Sequence, residues 1–244
     1  MTRPPAKPPR IYFSLRSPFS WISLQLIEKT RPEVLETSEL LPYWDPAPET
    51  LEALTAQRGD YHYTQMSRAK HLYILQDTKR LTRRLGLAMV WPVDRSPRWE
   101  VPHLAWLAAS AEDRPAVYRT LMDARWGRGE DICDEEHIAG LFAAAGLDAE
   151  LARAHRDADV AARGVEVLVR AYKDDVFGIP YFKAGSQRFW GMERVGWFLS
   201  CYDQWLETGK FSQPDEPVDM PETGGLTESL DAESLDADSP GGCG

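Results

Sequence analysis

Residues of obvious chemical use are sparse in this chain of 244 residues, and one short segment stands out among them. Ser17-Pro18 follows the apolar run 11–15 and opens a stretch with helical patterning. Serine is typical of the capping position of a helix, and proline is typical of its first turn. A helix N-terminus presents unpaired N–H groups and a partial positive charge, which favour a negatively charged group. Ser17 is therefore either a simple helix cap or part of a site.

Metal and disulfide chemistry find little support in the sequence. The three cysteines give neither a disulfide framework nor a zinc-type spacing, so Cys133 and Cys201 are expected to pack as small apolar residues. The histidines show no spacing typical of metal ligands and are expected at solvated or core positions; they are His62, His71, His103, His137 and His155. We therefore predict no metal site.

The elements around Ser17 predict an α/β protein. Residues 11–15 read as a buried strand, 17–30 as a helix, and 39–44 as a second strand that Pro42 confines to an edge. Near the other end, 179–183 and 187–190 read as a hairpin, followed by a helix over 193–205. Between the two parts lie helical segments at 51–57, 67–85, 102–111, 114–126, 135–145 and 148–173.

The formal net charge of −10 is unevenly distributed. Residues 1–10 carry +3 and are predicted to be a flexible, proline-rich arm, whereas 11–209 carry only −5. Residues 210–244 carry −8, repeat ESLDA, and are predicted to be a disordered tail. The acidic balance argues against a nucleic-acid partner. Because no apolar run approaches the roughly 18–20 residues of a membrane span and no signal pattern is present, we expect a cytoplasmic protein.

Motifs in consistent order carry a family resemblance that covers about residues 10–205. The chain resembles the kappa-class glutathione transferases and the 2-hydroxychromene-2-carboxylate isomerases, two branches of the DsbA-like thioredoxin superfamily. This resemblance implies a thioredoxin-like domain of residues 11–45 and 174–209, with an inserted all-helical domain at 46–173. The matching segments are Tyr12–Trp21, the helix with Lys70, Tyr73, Asp77 and Arg80, Trp126–Ile132, Phe177–Pro180 and Trp190–Arg194.

The resemblance implies a catalytic role for Ser17. Redox members of the superfamily have a CxxC motif where this chain has Ser17 and Ser20. A serine cannot form a disulfide, which excludes thiol–disulfide exchange at this position. The resemblance implies instead that glutathione binds here and that Ser17 donates its hydroxyl to the glutathione thiolate, which is the nucleophile.

Further glutathione contacts are implied at other positions. A cis bond before Pro180 would expose the N–H and C=O of Ile179 to the cysteinyl backbone, whereas the alternative is a trans proline that starts an edge strand. Met192-Glu193 stands where the family usually has Ser/Asn-Asp to hold the γ-glutamyl group, so the small polar residue is lost here.

Three weaker candidates complete the implied glutathione site. Phe19 follows the capping segment, and Asp60 lies one residue away from a position where the family places an asparagine. Lys70 would face the glycine carboxylate of the tripeptide, with an exposed helix lysine as the equal alternative. Trp21 and Trp126 lie inside the matching motifs and are candidates for the wall of an apolar substrate pocket.

The last residues, Cys243-Gly244, have the same order as the Cys-Gly part of glutathione. One hypothesis is that the tail acts as a tethered thiol and replaces free glutathione at Ser17, since tethering raises the effective concentration. The alternative is a solubility tail with an incidental cysteine. The cofactor is therefore expected to be glutathione or the chain's own Cys-Gly.

Together these observations predict a glutathione-dependent isomerase of a conjugated or aromatic-derived small molecule. A kappa-type glutathione transferase is the first alternative. A non-catalytic binding or carrier protein, using the thioredoxin-like cleft or the tail, is the second. The resemblance implies a homodimer, and no membrane partner is expected.

Overall fold

A four-stranded mixed sheet forms the centre of the structure, a computed structural model that describes residues 7–62 and 66–220. The strands are β1 (Arg10–Phe13), β2 (Glu39–Pro42), β3 (Tyr181–Ala184) and β4 (Gln187–Trp190), in the spatial order β2-β1-β3-β4. β1 pairs with β2 in parallel and with β3 antiparallel, and β3–β4 is the predicted hairpin. The predicted α/β class is confirmed.

Sequence explains the place of each strand in this order. The side chains of Ile11, Tyr12 and Phe13 are fully buried, as expected for a strand with neighbours on both sides. Pro42 has no N–H to donate, and β2 accordingly lies at the edge of the sheet. The hairpin turns at Gly185, whose positive φ of 61° suits glycine.

Nine α-helices surround the sheet within the described ranges. They are α1 (Pro18–Thr30), α2 (Pro32–Thr37), α3 (Pro48–Ala56), α4 (Arg68–Arg84), α5 (Glu100–Ala108), α6 (Arg114–Met122), α7 (Glu135–Ala144), α8 (Ala158–Lys173) and α9 (Val195–Thr208). A π-helical turn spans Asp123–Gly127, and 3-10 turns span Ala149–Arg156 and Met192–Arg194.

Two helical predictions need correction. The helix predicted over 148–173 is broken at Asp157, whose carboxylate accepts hydrogen bonds from the N–H groups of Asp159 and Val160 and so caps a new helix, α8. The helix predicted over 114–126 ends at Met122 and continues as the π-helical turn. In addition, the short α2 was not predicted.

The helical block α3–α8 shares one core with the sheet. Phe13 of β1 makes edge-on ring contacts with Trp106 of α5 and Tyr118 of α6, at centroid distances of 5.0 and 5.6 Å. Gly164 lets α8 approach α5 closely, because a Cβ there would lie 2.7 Å from Leu104. The helical block α3–α8 therefore packs directly against β1.

The chain after α9 packs on the fold, which corrects the prediction of a disordered tail from residue 210. Phe211 stacks on Trp205 with ring centroids 6.0 Å apart, and Val218 donates its N–H to the carbonyl of Gly196. These apolar side chains offset the polar composition of the segment. The arm predicted over residues 1–10 extends one residue too far, because Arg10 already belongs to β1. Residues 1–6, 63–65 and 221–244, including Cys243, lie outside the described residues.

Within the described ranges, no helix is both long and apolar enough to cross a membrane. The same part of the chain holds no group of three or more histidine, cysteine, aspartate or glutamate side chains that could bind a metal ion.

Candidate active site

A cavity of about 800 Å³ opens beside the turn between β1 and α1, and we call it the main cavity. Its walls come from that turn, the start of α4, the π-helical turn and the segment before β3. Of the predicted site residues, Ser17, Phe19, Lys70 and Ile179 line it. The fold thus brings together residues that are more than 160 positions apart in the sequence.

The N-terminus of α1 presents two hydrogen-bond donors in this cavity. Ser17 caps the helix as predicted, because its Oγ accepts a hydrogen bond of 3.2 Å from the N–H of Ser20. The hydroxyl hydrogen of Ser17 and the N–H of Phe19 have no acceptor among the described residues. A negatively charged atom beside Ser17 would gain both donors and the favourable end of the helix dipole.

A buried histidine of α5 holds the turn that carries Ser17. The N–H of Leu15 donates to Nε2 of His103 at 3.0 Å, while Nδ1 of His103 lies 2.7 Å from the carbonyl of Trp99 and must donate to it. Burial lowers the pKa of His103 to about 3. The hydrogen bond to Trp99 raises this pKa, whereas the charge of Arg125 lowers it further. His103 is therefore a neutral, fully buried core histidine, one of the two environments predicted for it.

The peptide bond between Ile179 and Pro180 is cis, as predicted. The backbone N–H and C=O of Ile179 make no hydrogen bond within residues 7–62 and 66–220, and Ile179 lines the main cavity. Pro180 is buried behind it, and its carbonyl accepts from the N–H of Gly191 at 3.0 Å. The cavity thus contains an unpaired donor and acceptor on one residue, as an extended peptide partner requires.

An ion pair and a tyrosine form one polar side of the cavity. Arg16 pairs with Asp45, and the hydroxyl of Tyr61 donates to the same carboxylate at 2.5 Å. Tyr61 also stacks on Tyr43 at a centroid distance of 5.0 Å. Because these groups satisfy one another, this side of the cavity has a defined shape without a ligand.

Arg125 forms the opposite polar side and is almost fully buried, with 2% of its side chain exposed. It makes a bidentate ion pair with Asp94, at 2.8 and 3.0 Å. Its guanidinium lies between the rings of Trp99 and Trp126, 4.8 Å from each centroid. Trp126 lines the cavity as predicted, whereas Trp21 stacks behind it at 6.3 Å and does not line the wall.

Besides the buried Pro180, three predicted glutathione contacts do not line the main cavity. Asp60 is exposed, and its carboxylate accepts from the N–H of Tyr61 at 2.7 Å. Met192 is half-buried and Glu193 is exposed on the 3-10 turn after β4. Lys70 does line the cavity, and it forms no ion pair within the part of the chain that the structure describes.

The main cavity contains no cysteine from the described residues. Burial, aided by the charge of Asp131, raises the pKa of Cys133 far above its ordinary value, and burial raises the pKa of Cys201 to about 11. Neither thiol therefore has the lowered pKa that is typical of a reactive cysteine. A thiol acting beside Ser17 has to come from outside the described chain.

Sequence reasoning missed Asp45, Tyr61, Asp94 and Arg125, although all four lie at the cavity. Asp45, Tyr61 and Asp94 belong to no motif, and their roles depend on partners from other elements. Arg125 had one available signal, since it directly precedes the Trp126 motif. Its burial could not be anticipated, because an arginine in a helical stretch is usually solvated.

Comparison with known proteins is consistent with this architecture. Residues 10–203 match the DSBA-like thioredoxin domain, whereas the search of curated proteins gave no match. A solved 2-hydroxychromene-2-carboxylate isomerase is 20% identical, with a TM-score of 0.60 over 82% of this chain and 96% of that one. A probable DsbA oxidoreductase from Streptomyces coelicolor is 19% identical, with a TM-score of 0.57 over 86% of this chain and 93% of its own.

A third structure is the cytosolic disulfide reductase DsbM from Pseudomonas aeruginosa with glutathione. It is 17% identical, with a TM-score of 0.51 over 82% of this chain and 97% of that one. These structural likenesses show a shared fold. Because the domain match covers β1 to α9, the chain belongs to the DsbA-like thioredoxin domain family.

Proposed function

We propose that this protein is a glutathione-dependent isomerase of a conjugated or aromatic-derived small molecule. The observation that carries the proposal is the pair of free donors at α1, the Ser17 hydroxyl and the Phe19 N–H, in a cavity that contains no cysteine from the described residues. A helix N-terminus of this kind stabilises a thiolate, and without a cysteine it cannot form a protein disulfide. It therefore suits a thiol that must be bound and released unchanged.

The cysteinyl part of glutathione fits the residues present. The unpaired N–H and C=O of Ile179 would form two backbone hydrogen bonds with it, and Ser17 with Phe19 would hold its sulfur. Lys70 has no carboxylate partner within the described residues and would take the glycine carboxylate. Met192 and Glu193 lie outside the cavity wall, so the γ-glutamyl end has the weakest support.

Bound there, glutathione would supply a thiolate that adds reversibly to a conjugated bond, which can then rotate before the thiol leaves. The chain's own contribution is positioning. Ser17 keeps the sulfur charged, while Trp91 and Trp190 offer flat apolar surfaces to the substrate. Arg125 and Arg16 are already paired with carboxylates, so they shape the walls of the cavity.

Two alternatives use the same cavity. A kappa-type transferase would leave the thiol in its product, whereas an isomerase releases it, so product mass separates them. A non-catalytic carrier would bind through the cleft without turnover. The expected homodimer and cytoplasmic location also stay predictions.

The tethered-thiol hypothesis concerns Cys243, which lies outside the described residues. It stays a prediction with a simple test. If Cys243 supplies the thiol, Cys243→Ala abolishes turnover without added glutathione, and glutathione restores it. Turnover that is the same in both proteins without added glutathione would contradict it.

The proposed site is tested by calorimetric titration with glutathione and with S-methylglutathione, which has no thiol to ionise. We expect the protein to prefer glutathione and Ser17→Ala to lose that preference. Ser23→Ala is the matched control, because Ser23 lies on the same helix and does not line the cavity. Equal binding of both ligands by the unmodified protein, or no binding of glutathione, would reject the proposal.

A further inference from the structure

A second cavity, of about 920 Å³, lies beside the edge strand β2, and we call it the β2-side cavity. It is enclosed by α1 and α2, the end of α5, the start of α6 and one side of α8. It shares no lining residue with the main cavity. Its volume is in the range of small-molecule sites, yet no step proposed above uses it.

The inner wall of this cavity is apolar. Phe13 and Trp106 line it but are almost fully buried, so they shape the wall rather than offer surface to a ligand. Leu35, Leu40 and Val167 are partly exposed apolar side chains that also line it. Such a wall favours the apolar body of a ligand, since its contact with these side chains removes apolar surface from water.

Two arginines without carboxylate partners lie at one part of the rim. The guanidinium of Arg114 stacks over Trp106 at 4.9 Å and donates to the carbonyl of Leu107 at 3.1 Å, but its buried Nε has no partner. Arg163, on α8, is exposed. Neither arginine forms an ion pair within residues 7–62 and 66–220.

The two positive charges are close enough to affect each other. The pKa of Arg114 is lowered, first by burial and then by the charge of Arg163, and no carboxylate counteracts these effects. The other arginines of the cavity differ, because Arg119 pairs with Glu28 at 3.1 Å and Arg170 pairs with Glu39. The uncompensated positive charge is therefore confined to Arg114 and Arg163.

The remaining charges limit how negative a ligand can be. Glu36 and Glu166 also line the cavity, are exposed, and form no ion pair within the described ranges. The two charges of a dianion such as a phosphate monoester would be repelled by these carboxylates. A monoanion held by the arginines brings only one negative charge near them. The cavity consequently favours one negative charge on an apolar body.

We propose that the β2-side cavity binds a small amphipathic monocarboxylate. Its carboxylate accepts hydrogen bonds from Arg114 and Arg163, and its apolar body lies on the wall that Leu35, Leu40 and Val167 present. Arginine suits this role because its planar donors match the two oxygens of a carboxylate. The inference is independent of the glutathione proposal, since the two sites share no residue.

Calorimetric titration of the full chain with decanoate, below its micelle concentration, tests the site. We expect saturable binding to the unmodified protein, and weakening by about tenfold or more in Arg163→Met, which removes a charged donor. Arg163→Glu is expected to abolish binding, because the new carboxylate would pair with Arg114. Both variants change an exposed side chain, and unchanged thermal unfolding checks that the fold is intact.

Arg119→Met is the matched control, because Arg119 lines the same cavity but is paired with Glu28. It should retain decanoate affinity within about twofold, a difference well below that of a lost charged hydrogen bond. 1-Decanol, which has the same chain without the charge, should bind weakly. Equal binding of decanol and decanoate, unchanged affinity in Arg163→Glu, or no binding of decanoate would overturn the proposal.

Discussion

At Ser17, the side-chain hydroxyl and the N-terminus of α1 can stabilise the same negatively charged atom. The capping hydrogen bond from Ser20 uses a lone pair of Oγ and leaves its hydrogen free, so capping and thiolate binding are compatible. The choice posed by the sequence, between a helix cap and a site residue, is thus not exclusive. Ser17 lines the main cavity, a position that capping a helix does not by itself require.

Ser17→Cys tests the electrostatic character of this position without any ligand. We expect the introduced thiol to have a pKa below the ordinary value of about 8.5, because the N-terminus of α1 stabilises its thiolate. The measurement is the rate of alkylation against pH, in a Cys243→Ser background with peptide mass mapping. Cys133, which is half-buried, and Cys201, which is buried, both have raised pKa values and serve as internal references. An alkylation midpoint at the ordinary value would contradict the electrostatic role of the helix end.

His103 connects residue chemistry to the stability of the turn. In the unfolded chain it takes up a proton below about pH 6.5, whereas in the folded protein it stays neutral down to about pH 3. Its contribution to stability is therefore complete above pH 6.5 and is lost as the pH falls toward 3, at up to about 1.4 kcal/mol per pH unit. Urea unfolding from pH 7 to 4 should show this slope, and it should be smaller in His103→Gln.

The same histidine gives a test of hydrogen bonding at neutral pH. His103→Leu leaves the buried N–H of Leu15 without its acceptor and should cost about 1–3 kcal/mol. In His103→Gln the amide oxygen can replace Nε2, so a smaller loss is expected. Urea unfolding at pH 7 compares the two variants, and an equal loss in both would contradict the role given to Nε2.

The predicted residues that line the main cavity include some with a clear signal in their local sequence. Ser17 is followed by proline and a helical pattern, and Ile179 precedes a proline in a matching motif. His103 and Arg125 act through long-range contacts instead: Leu15 lies 88 positions from His103, and Asp94 lies 31 positions from Arg125. Nothing in a local pattern encodes such a partner, so these roles could not be read from the sequence.

At the scale of elements, the π-helical turn after α6 explains how a charged side chain comes to lie inside. It places Arg125 and Trp126 next to each other in the wall, and Asp94 approaches from the loop after α4. The helix starts at Ser17 and Ser67 were predictable, because a capping serine coincides there with the beginning of a helical pattern. The break at Asp157 was missed because apolar periodicity continues across it.

The Arg125–Asp94 pair predicts an asymmetry between its two partners. Asp94→Asn leaves a buried guanidinium without its counter-charge and should cost about 3–5 kcal/mol. Arg125→Met should cost less, because Asp94 is 29% exposed and can be solvated once it is alone. Urea unfolding of both variants measures the difference. A larger loss in Arg125→Met than in Asp94→Asn would contradict this account of the wall.

At the scale of the whole molecule, the end of β1 separates two cavities. Phe13 lines the β2-side cavity, and the next residue, Ser14, lines the main cavity. Phe13 is the last residue of β1 and Ser14 is the first residue after it, so the end of this strand contributes to both cavities. Composition alone could not reveal this division, since both cavities combine aromatic and charged residues from distant parts of the chain.

The segment after α9 belongs to the folded unit, and truncation tests this directly. A chain ending at Gly209 loses the Phe211–Trp205 stack and the bond from Val218 to Gly196, and should be destabilised by about 2 kcal/mol or more. A chain ending at Met220 keeps both contacts and should unfold like the full chain. Thermal unfolding of the two truncated proteins gives the comparison, and equal melting temperatures would contradict the packing role.

The net charge of residues 210–244, taken as one segment, does not reveal that the residues up to Met220 pack on the fold. The apolar residues Phe211, Val218 and Met220 all precede position 221, whereas the ESLDA repeats follow it. The predicted boundary at residue 210 therefore lies before a segment that packs on the fold, because net charge is insensitive to where a few apolar side chains lie.

The central claim is that α1 and Ser17 stabilise the thiolate of bound glutathione. The most direct measurement is a pH titration of that thiol by its ultraviolet thiolate absorbance, in the unmodified protein and in Ser17→Ala. We expect the bound thiol to titrate about one unit or more below free glutathione, and Ser17→Ala to move it upward. A bound thiol that titrates like free glutathione, or identically in the two proteins, would contradict the account.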